Sequence, residues 1–335
     1  MRRVGLPLIV IFTLVTLAGC GQSTSGPTSA NSPQKGPPII VAMVTHGQAY
    51  DPFWAQVRAG ARQAAADFNV TLKYSSPKTT NPQQQAQLIT QAAAAKPQAL
   101  AVTIPDAAVL SSPIRQVASS GVPVIAFNVG ADDYKQVGAL TFVGQPETIA
   151  GAEAGKQMAA AGVRHALCVI HEAPNAALTD RCAGFTKEMT ASGGSVQTIH
   201  VNGNHPGSAQ SAIEQALKKN PKTDGVQAVG IPGFDVSSGA LKAMNKLGKI
   251  KLASFDLSRT GLAAVQNRQA LFLIDQQPFL EGYDAVQVAA FQVRFGQHPF
   301  SPIFTGPSLV TKANAAKAAQ LYKNTGVALF KGGYV

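Results

Sequence analysis

Ile39-Ile40-Val41-Ala42-Met43-Val44 is an unbroken run of six apolar residues, followed by Thr45-His46-Gly47 and then Asp51-Pro52-Phe53-Trp54. An apolar run of strand length, without alternation, suits a parallel strand buried on both faces. Residues 54–68 then take helical spacing with alanine-rich faces. Outward from there the same pattern repeats: strand 72–75, helix 82–95 with Pro82 in its first turn, strand 99–104, helix 107–119, strand 122–127. A second block continues it: helix 147–161, strand 166–170, helix 179–190, strand 196–201, helix 208–219, strand 226–230, helix 236–246, strand 252–255, a helix near Leu262, strand 271–274 and a long helix 279–293. Such alternation specifies an α/β fold with parallel sheets covered by helices on both faces. The strands are too many for one small sheet. Two doubly wound lobes and a (β/α)8 barrel with additions both fit. The strand count beyond eight and the pause at residues 130–141 favour two lobes.

The first residues speak to compartment. Arg2 and Arg3 precede an apolar run, residues 4–17, that is too short to span a bilayer with these flanks and ends in Leu17-Ala18-Gly19-Cys20. That end resembles the lipobox of bacterial lipoproteins, which implies a signal peptide over residues 1–19 and a lipid on Cys20. Residues 20–37 are rich in Ser, Gly, Pro and Thr and read as a flexible tether. The formal net charge is +11, and removing Arg2 and Arg3 with the signal leaves +9. The basic residues are scattered, with no block or aromatic-interleaved stripe, so no nucleic-acid partner is expected. Of three cysteines, Cys20 belongs to the lipobox. Cys168 and Cys182 remain, and in an oxidising compartment they are either bonded or two buried thiols. The six histidines lack ligand spacing and no Cys-x-x-Cys occurs, so neither a metal nor a cofactor is expected.

In open parallel sheets ligands sit beyond the carboxyl ends of the strands. Those positions hold Thr45-His46-Gly47 with Asp51, Phe53 and Trp54, then Asn128, His171-Glu172, residues 202–204 and 232–235, Asp256 and Asp275-Gln276. Amides, carboxylates and aromatic rings together suit a polyhydroxylated ring: polar groups engage its hydroxyls and aromatic faces cover its CH face.

Four segments carry a resemblance: Tyr50-Asp51-Pro52-Phe53-Trp54, Gly121-Val122-Pro123-Val124-Ile125-Ala126-Phe127-Asn128, Arg181-Cys182-Ala183-Gly184-Phe185, and Phe255-Asp256 with Ile274-Asp275-Gln276-Gln277-Pro278. In this order the chain after Pro38 resembles the type I periplasmic sugar-binding proteins of ABC importers, the ribose-binding group. The resemblance implies two lobes joined by a three-segment hinge, with crossings near residues 142–145, 276–278 and 304–307. Lobe I would comprise residues 38–144 with 277–304, and lobe II residues 145–276 with 305–335. It implies ligand contacts from Asp51, Phe53, Trp54, Asn128, Arg181, Asn204, Phe234, Asp256 and Gln276. It further implies a sugar or polyol ligand, an ABC permease with its ATPase as partner, and a monomer. Val129, Gly233 and Phe234 depart from the ribose-binding pattern and remove polar groups, which leaves the sugar open. An exported enzyme is the rival class, through His46 with Asp51 or His171 with Glu172. Against it, the chain has no G-x-S-x-G, no phosphate loop and no recognisable carboxylate pair. A receptor that signals rather than transports is the other alternative.

Overall fold

The computed structural model describes residues 36–47 and 51–326. Cys20, the signal and tether segments, and Tyr50 lie outside the described residues. The chain begins with β1 (Ile39–Val44), α1 (Pro52–Asp67), β2 (Val70–Ser75), α2 (Pro82–Ala94), β3 (Ala99–Val102), α3 (Ala107–Ser119), β4 (Val124–Phe127) and β5 (Thr141–Gly144). With β11 (Ile303–Phe304) these strands form a sheet in the order β11-β5-β4-β3-β1-β2, parallel throughout. Every residue of β3, β4 and β5 is buried, which explains their unalternating apolar sequences.

The second sheet is built from β6 (His165–Ile170), β7 (Ser195–His200), β8 (Gly225–Ala228), β9 (Lys251–Phe255), β10 (Phe272–Asp275) and β12 (Ser308–Thr311). Its order is β12-β10-β9-β8-β6-β7, with only β12 antiparallel to its neighbour. Helices α5 (Ala176–Ala191), α6 (Pro206–Lys219), α7 (Ile231–Ala243) and α8 (Arg259–Gln266) link its strands, and α4 (Glu147–Ala160) leads into it. The chain passes between sheets three times: after β5 into α4, after β10 into α9 (Pro278–Phe295), and between β11 and β12. Two doubly wound lobes on a three-segment hinge are therefore the architecture, and the barrel is excluded.

Strand by strand the two sheets have the same order, β1 matching β6 and β4 matching β9. The likeness extends to single residues. Asn128 after β4 and Asp256 after β9 both take left-handed backbone conformations, φ +63° and +69°. Their amides donate to the carbonyls of Val143 and Ile274, at 2.7 and 2.8 Å. The left-handed turn ends each strand and directs the side chain out of the sheet, and Asn and Asp tolerate it best among residues with a Cβ.

The inner helices pack almost backbone to backbone. A Cβ at Gly184 on α5 would stand 2.1 Å from the Thr148 carbonyl of α4, and one at Gly151 on α4 would stand 2.1 Å from the Arg181 carbonyl. Gly60 and Gly282 do the same for α1 and α9 in lobe I. Cys168 on β6 and Cys182 on α5 are joined by a disulfide, Cα atoms 6.0 Å apart, which ties the same helix to its sheet.

One element departs from its expected bounds with a consequence for function. Helix α7 begins at Ile231 rather than 236, because Gly230 and then Pro232 suit a helix start. Phe234 is thereby helical and 2% exposed, in the lobe II core with Ala240, Leu241 and Leu252. Among the described residues no helix is long and apolar enough to cross a membrane.

Candidate functional site

The carboxyl ends of both sheets face one another across a cleft. Asp51, Phe53, Trp54, Asn128, Arg181, Asn204, Asp256 and Gln276 all line it, with about 700 Å³ of empty space that includes the part open to solvent. Phe234 does not line it; the expectation that it touches ligand is corrected by its place in the core.

On the lobe I side, Asp51 caps α1, its Oδ1 accepting from the Phe53 amide at 2.8 Å. The cap fixes the helix start, and with it the positions of Phe53 and Trp54 one turn in. Both rings are over nine-tenths buried and belong to the lobe I core while their remaining surface lines the cleft. Their centroids are 5.0 Å apart, edge to face. Asn128 donates from Nδ2 to Glu281 Oε2 at 3.0 Å, which leaves Oδ1 as its acceptor. Glu281 on α9 is fully buried, and burial lifts its carboxyl well above the usual range, favouring the neutral acid.

On the lobe II side, Arg181 is 3% exposed and forms an ion pair with Glu147, from Nη2 to Oε1 at 2.6 Å and from Nε to Oε2 at 2.7 Å. Its Nη1 donates to the Val229 carbonyl at 2.9 Å and its Nη2 also to Gln276 Oε1 at 2.7 Å. Its guanidinium carbon lies 4.6 Å from the centroid of the Phe255 ring. Gln276, on the second hinge crossing, donates from Nε2 to Asp256 Oδ1. Gln145, on the first crossing, donates to Glu147 Oε2 at 2.7 Å. One hydrogen-bonded chain thus runs Gln145–Glu147–Arg181–Gln276–Asp256, through two of the three hinge segments and into the cleft.

The lobes touch directly at the cleft mouth. Thr80 of lobe I donates to Glu172 Oε1 at 3.0 Å, and the Ala176 amide of lobe II donates to the Pro105 carbonyl at 3.0 Å. Asn175 Nδ2 approaches His46 Nε2 at 3.2 Å, while His46 Nδ1 lies 3.0 Å from Thr103 Oγ1. A neutral ring with its proton on Nδ1 satisfies both contacts, and burial lowers the pKa of His46 in agreement. The two lobes are thus in contact across the cleft. His171 also lines the cleft, pushed down to about 4 by burial, with its Nδ1 unpartnered among the described residues.

Burial likewise governs the two carboxylates aimed into the space. Asp51 is pushed up to about 7, by burial first, against the pull of the Phe53 amide, with Asp256 and Glu172 adding to the rise. Asp256 is pushed up to about 6 by burial, although Arg181 and Gln276 favour its charged form.

Sequence reading did not assign roles to Thr80, Glu147, Asn175 or Glu281. Asn175 carried a signal, an Asn before a helix, and it does cap α5 by accepting from the Ala177 amide. Thr80 acts across the lobes, and Glu147 and Glu281 act within a lobe on Arg181 and Asn128, 34 and 153 positions away. His46, His171 and Glu172 read as an enzyme's acid–base candidates; both ring nitrogens of His46 and both oxygens of Glu172 are instead engaged in holding the lobes or their loops. No group of histidine, cysteine and carboxylate residues fit to hold a metal occurs among the described residues.

A sequence profile of the periplasmic binding protein domain matches residues 41–297. Among solved structures, a carbohydrate transporter from Acidothermus cellulolyticus 11B in complex with myo-inositol is 37% identical, with a TM-score of 0.80 over 86% of this chain and 99% of that one. An ABC sugar transporter's periplasmic sugar-binding protein from Legionella pneumophila is 24% identical, TM-score 0.75, over 80% of this chain and 99% of that one. An ABC transporter solute-binding protein from Agrobacterium vitis, bound with α-D-tagatopyranose, is 22% identical, TM-score 0.78, over 88% and 100%. These last two attest the fold. No curated protein sequence matches. With the profile spanning most of both lobes, and a relative 37% identical along nearly its whole length, the chain belongs to the periplasmic binding protein family, in its type I, sugar-binding branch.

Proposed function

We propose that this protein captures a sugar or cyclic polyol between its lobes by hinge closure and delivers it to an ABC permease. The observation that carries the reading is the cleft itself: aromatic rings from lobe I and carboxylates from both lobes line one space between touching lobes, groups suited to cover a ring and bind its hydroxyls. The bound myo-inositol of the Acidothermus relative makes a cyclic polyol the first ligand to try. The lobes are residues 38–144 with 277–304 and residues 145–276 with 305–335. Residues 1–19 serve as signal peptide, Cys20 carries the lipid, and residues 20–37 tether a monomer to the outer side of the cell membrane.

The cleft's chemistry supports binding without turnover. Asp51 and Asp256 are each committed through one oxygen to a backbone or amide donor, an arrangement that orients the other oxygen toward hydroxyls. Hydrogen bonds to charged groups contribute about 1.5–3 kcal/mol each, so a few of them with ring contacts give roughly micromolar affinity or better. A thermal-shift panel of monosaccharides, inositols and short polyols, with product analysis of each mixture, tests the reading. Stabilisation by one group of polyols with ligand recovered unchanged supports it. Chemical conversion of a ligand, or stabilisation by none, overturns it.

A further inference from the structure

The charges lining the cleft do not balance. Asp51, Glu172 and Asp256 present carboxylates, and Arg181 is the only arginine or lysine among the described lining residues. Four of the five N–H groups of that cation are already engaged: Nε and Nη2 with Glu147 and Gln276, and Nη1 with the Val229 carbonyl. The histidines add no charge, since burial holds both His46 and His171 in the neutral form. Glu172 is occupied at both oxygens by Thr80 and Asn175. Asp51 and Asp256 each use Oδ1 internally, which leaves Oδ2 on both for a ligand. Asn128 also turns an acceptor, Oδ1, away from Glu281. Of these three acceptors, two, on Asp51 and Asp256, are carboxylate oxygens and one is a neutral amide oxygen.

The position of those anions sharpens the point. Asp51 belongs to lobe I, Asp256 and Glu172 to lobe II, and all three line one cleft, so closure brings like charges toward one another. A neutral polyol would leave that repulsion in place. A ligand cation would convert it into attraction from both lobes at once, and the Trp54 and Phe53 rings beside Asp51 favour a cation too. We propose that the preferred ligand is a ring polyol bearing a protonated amine, an aminocyclitol or amino sugar, with the ammonium held between Asp51 and Asp256 beside Trp54. This inference rests on the receptor reading above and narrows its ligand. The same charge count makes anionic polyols, such as sugar phosphates and uronates, the poorest ligands. Because Asp51 is pushed up to about 7 in the cleft and Asp256 to about 6, the advantage of the amine should be greatest above about neutral pH and shrink as these groups take up protons.

Calorimetry of the full folded chain with four probes decides it: myo-inositol, an amino-deoxy-inositol, glucose and glucosamine. The amine of at least one pair should bind about tenfold tighter than its neutral counterpart at about pH 7.5, with a smaller ratio at about pH 5.5. In Asp51→Asn, which keeps the helix cap, the loss for the amine should exceed the loss for the neutral partner by about tenfold. Amines that bind no better than their neutral partners, or a preference unchanged by Asp51→Asn or by pH, overturn this inference while leaving a polyol receptor standing. Binding of none of the four probes, together with a blank thermal-shift panel, overturns the receptor reading and this inference with it.

Discussion

Arg181 touches the cleft, yet most of its hydrogen-bonding capacity serves the protein itself. Four donations hold Glu147, Gln276 and the Val229 carbonyl, all in buried surroundings. Its removal strands a buried carboxylate. Arg181→Ala is therefore expected to cost about 3–5 kcal/mol in urea unfolding, where a purely ligand-facing arginine would leave stability unchanged. Asp256 separates the two roles more cleanly. Asp256→Asn keeps the shape, tolerates the left-handed backbone and retains an acceptor for Gln276, so unfolding should be unaffected. Affinity for the ligand should fall about tenfold or more in calorimetry, the worth of a charge-assisted hydrogen bond. The residue scale is also where sequence reading reached furthest and missed most instructively. That Asp51, Asn128 and Asp256 line the cleft was legible because residues following the strands of a parallel sheet gather at its carboxyl end. The Arg181–Glu147 pair was not, because its partners lie 34 positions apart, and only the close contact of α4 with α5 brings them together.

That contact belongs to the element scale. Gly151 and Gly184 let the two helices meet backbone to backbone, and the first turn of α4 thereby delivers Glu147 to Arg181. A methyl at Gly184 would press on a backbone carbonyl that cannot swing aside. Gly184→Ala should lower stability by about 1–3 kcal/mol or more and weaken ligand binding with it. Gly207→Ala on α6, where nothing lies within 4 Å of the added carbon, should leave stability equal or slightly raised, by roughly 0.5–1 kcal/mol. Thermal melts of the two variants side by side make the comparison. Most elements were legible from apolar periodicity to within a few residues. Helix α7 was not, because Pro232 and Gly233 read as a loop, while in the fold they form its first turn beside Gly230. That shift moves Phe234 from a cleft edge into the core. The short strands β11 and β12 also escaped, being only two and four residues long and partly exposed.

At the scale of the whole molecule, three chain crossings join two lobes of matching strand order, and polar side chains of two of them, Gln145 and Gln276, are bonded through Glu147 and Arg181 to the cleft. Among the described residues, the lobes touch at the mouth through Thr80 with Glu172, His46 with Asn175 and Glu172, and the Ala176 amide with Pro105. No sequence pattern announces them, since the partners stand on different lobes, 92 positions apart for Thr80 with Glu172 and 129 for His46 with Asn175. In the proposed mechanism a ligand that bonds to both lobes favours the closed form by its differential affinity for it. The most direct test of this account is small-angle X-ray scattering of the protein during titration with myo-inositol and its amino analogue. The account predicts a saturable decrease in the radius of gyration as the ligand binds. Identical scattering curves with and without a ligand that calorimetry shows to be bound would contradict it.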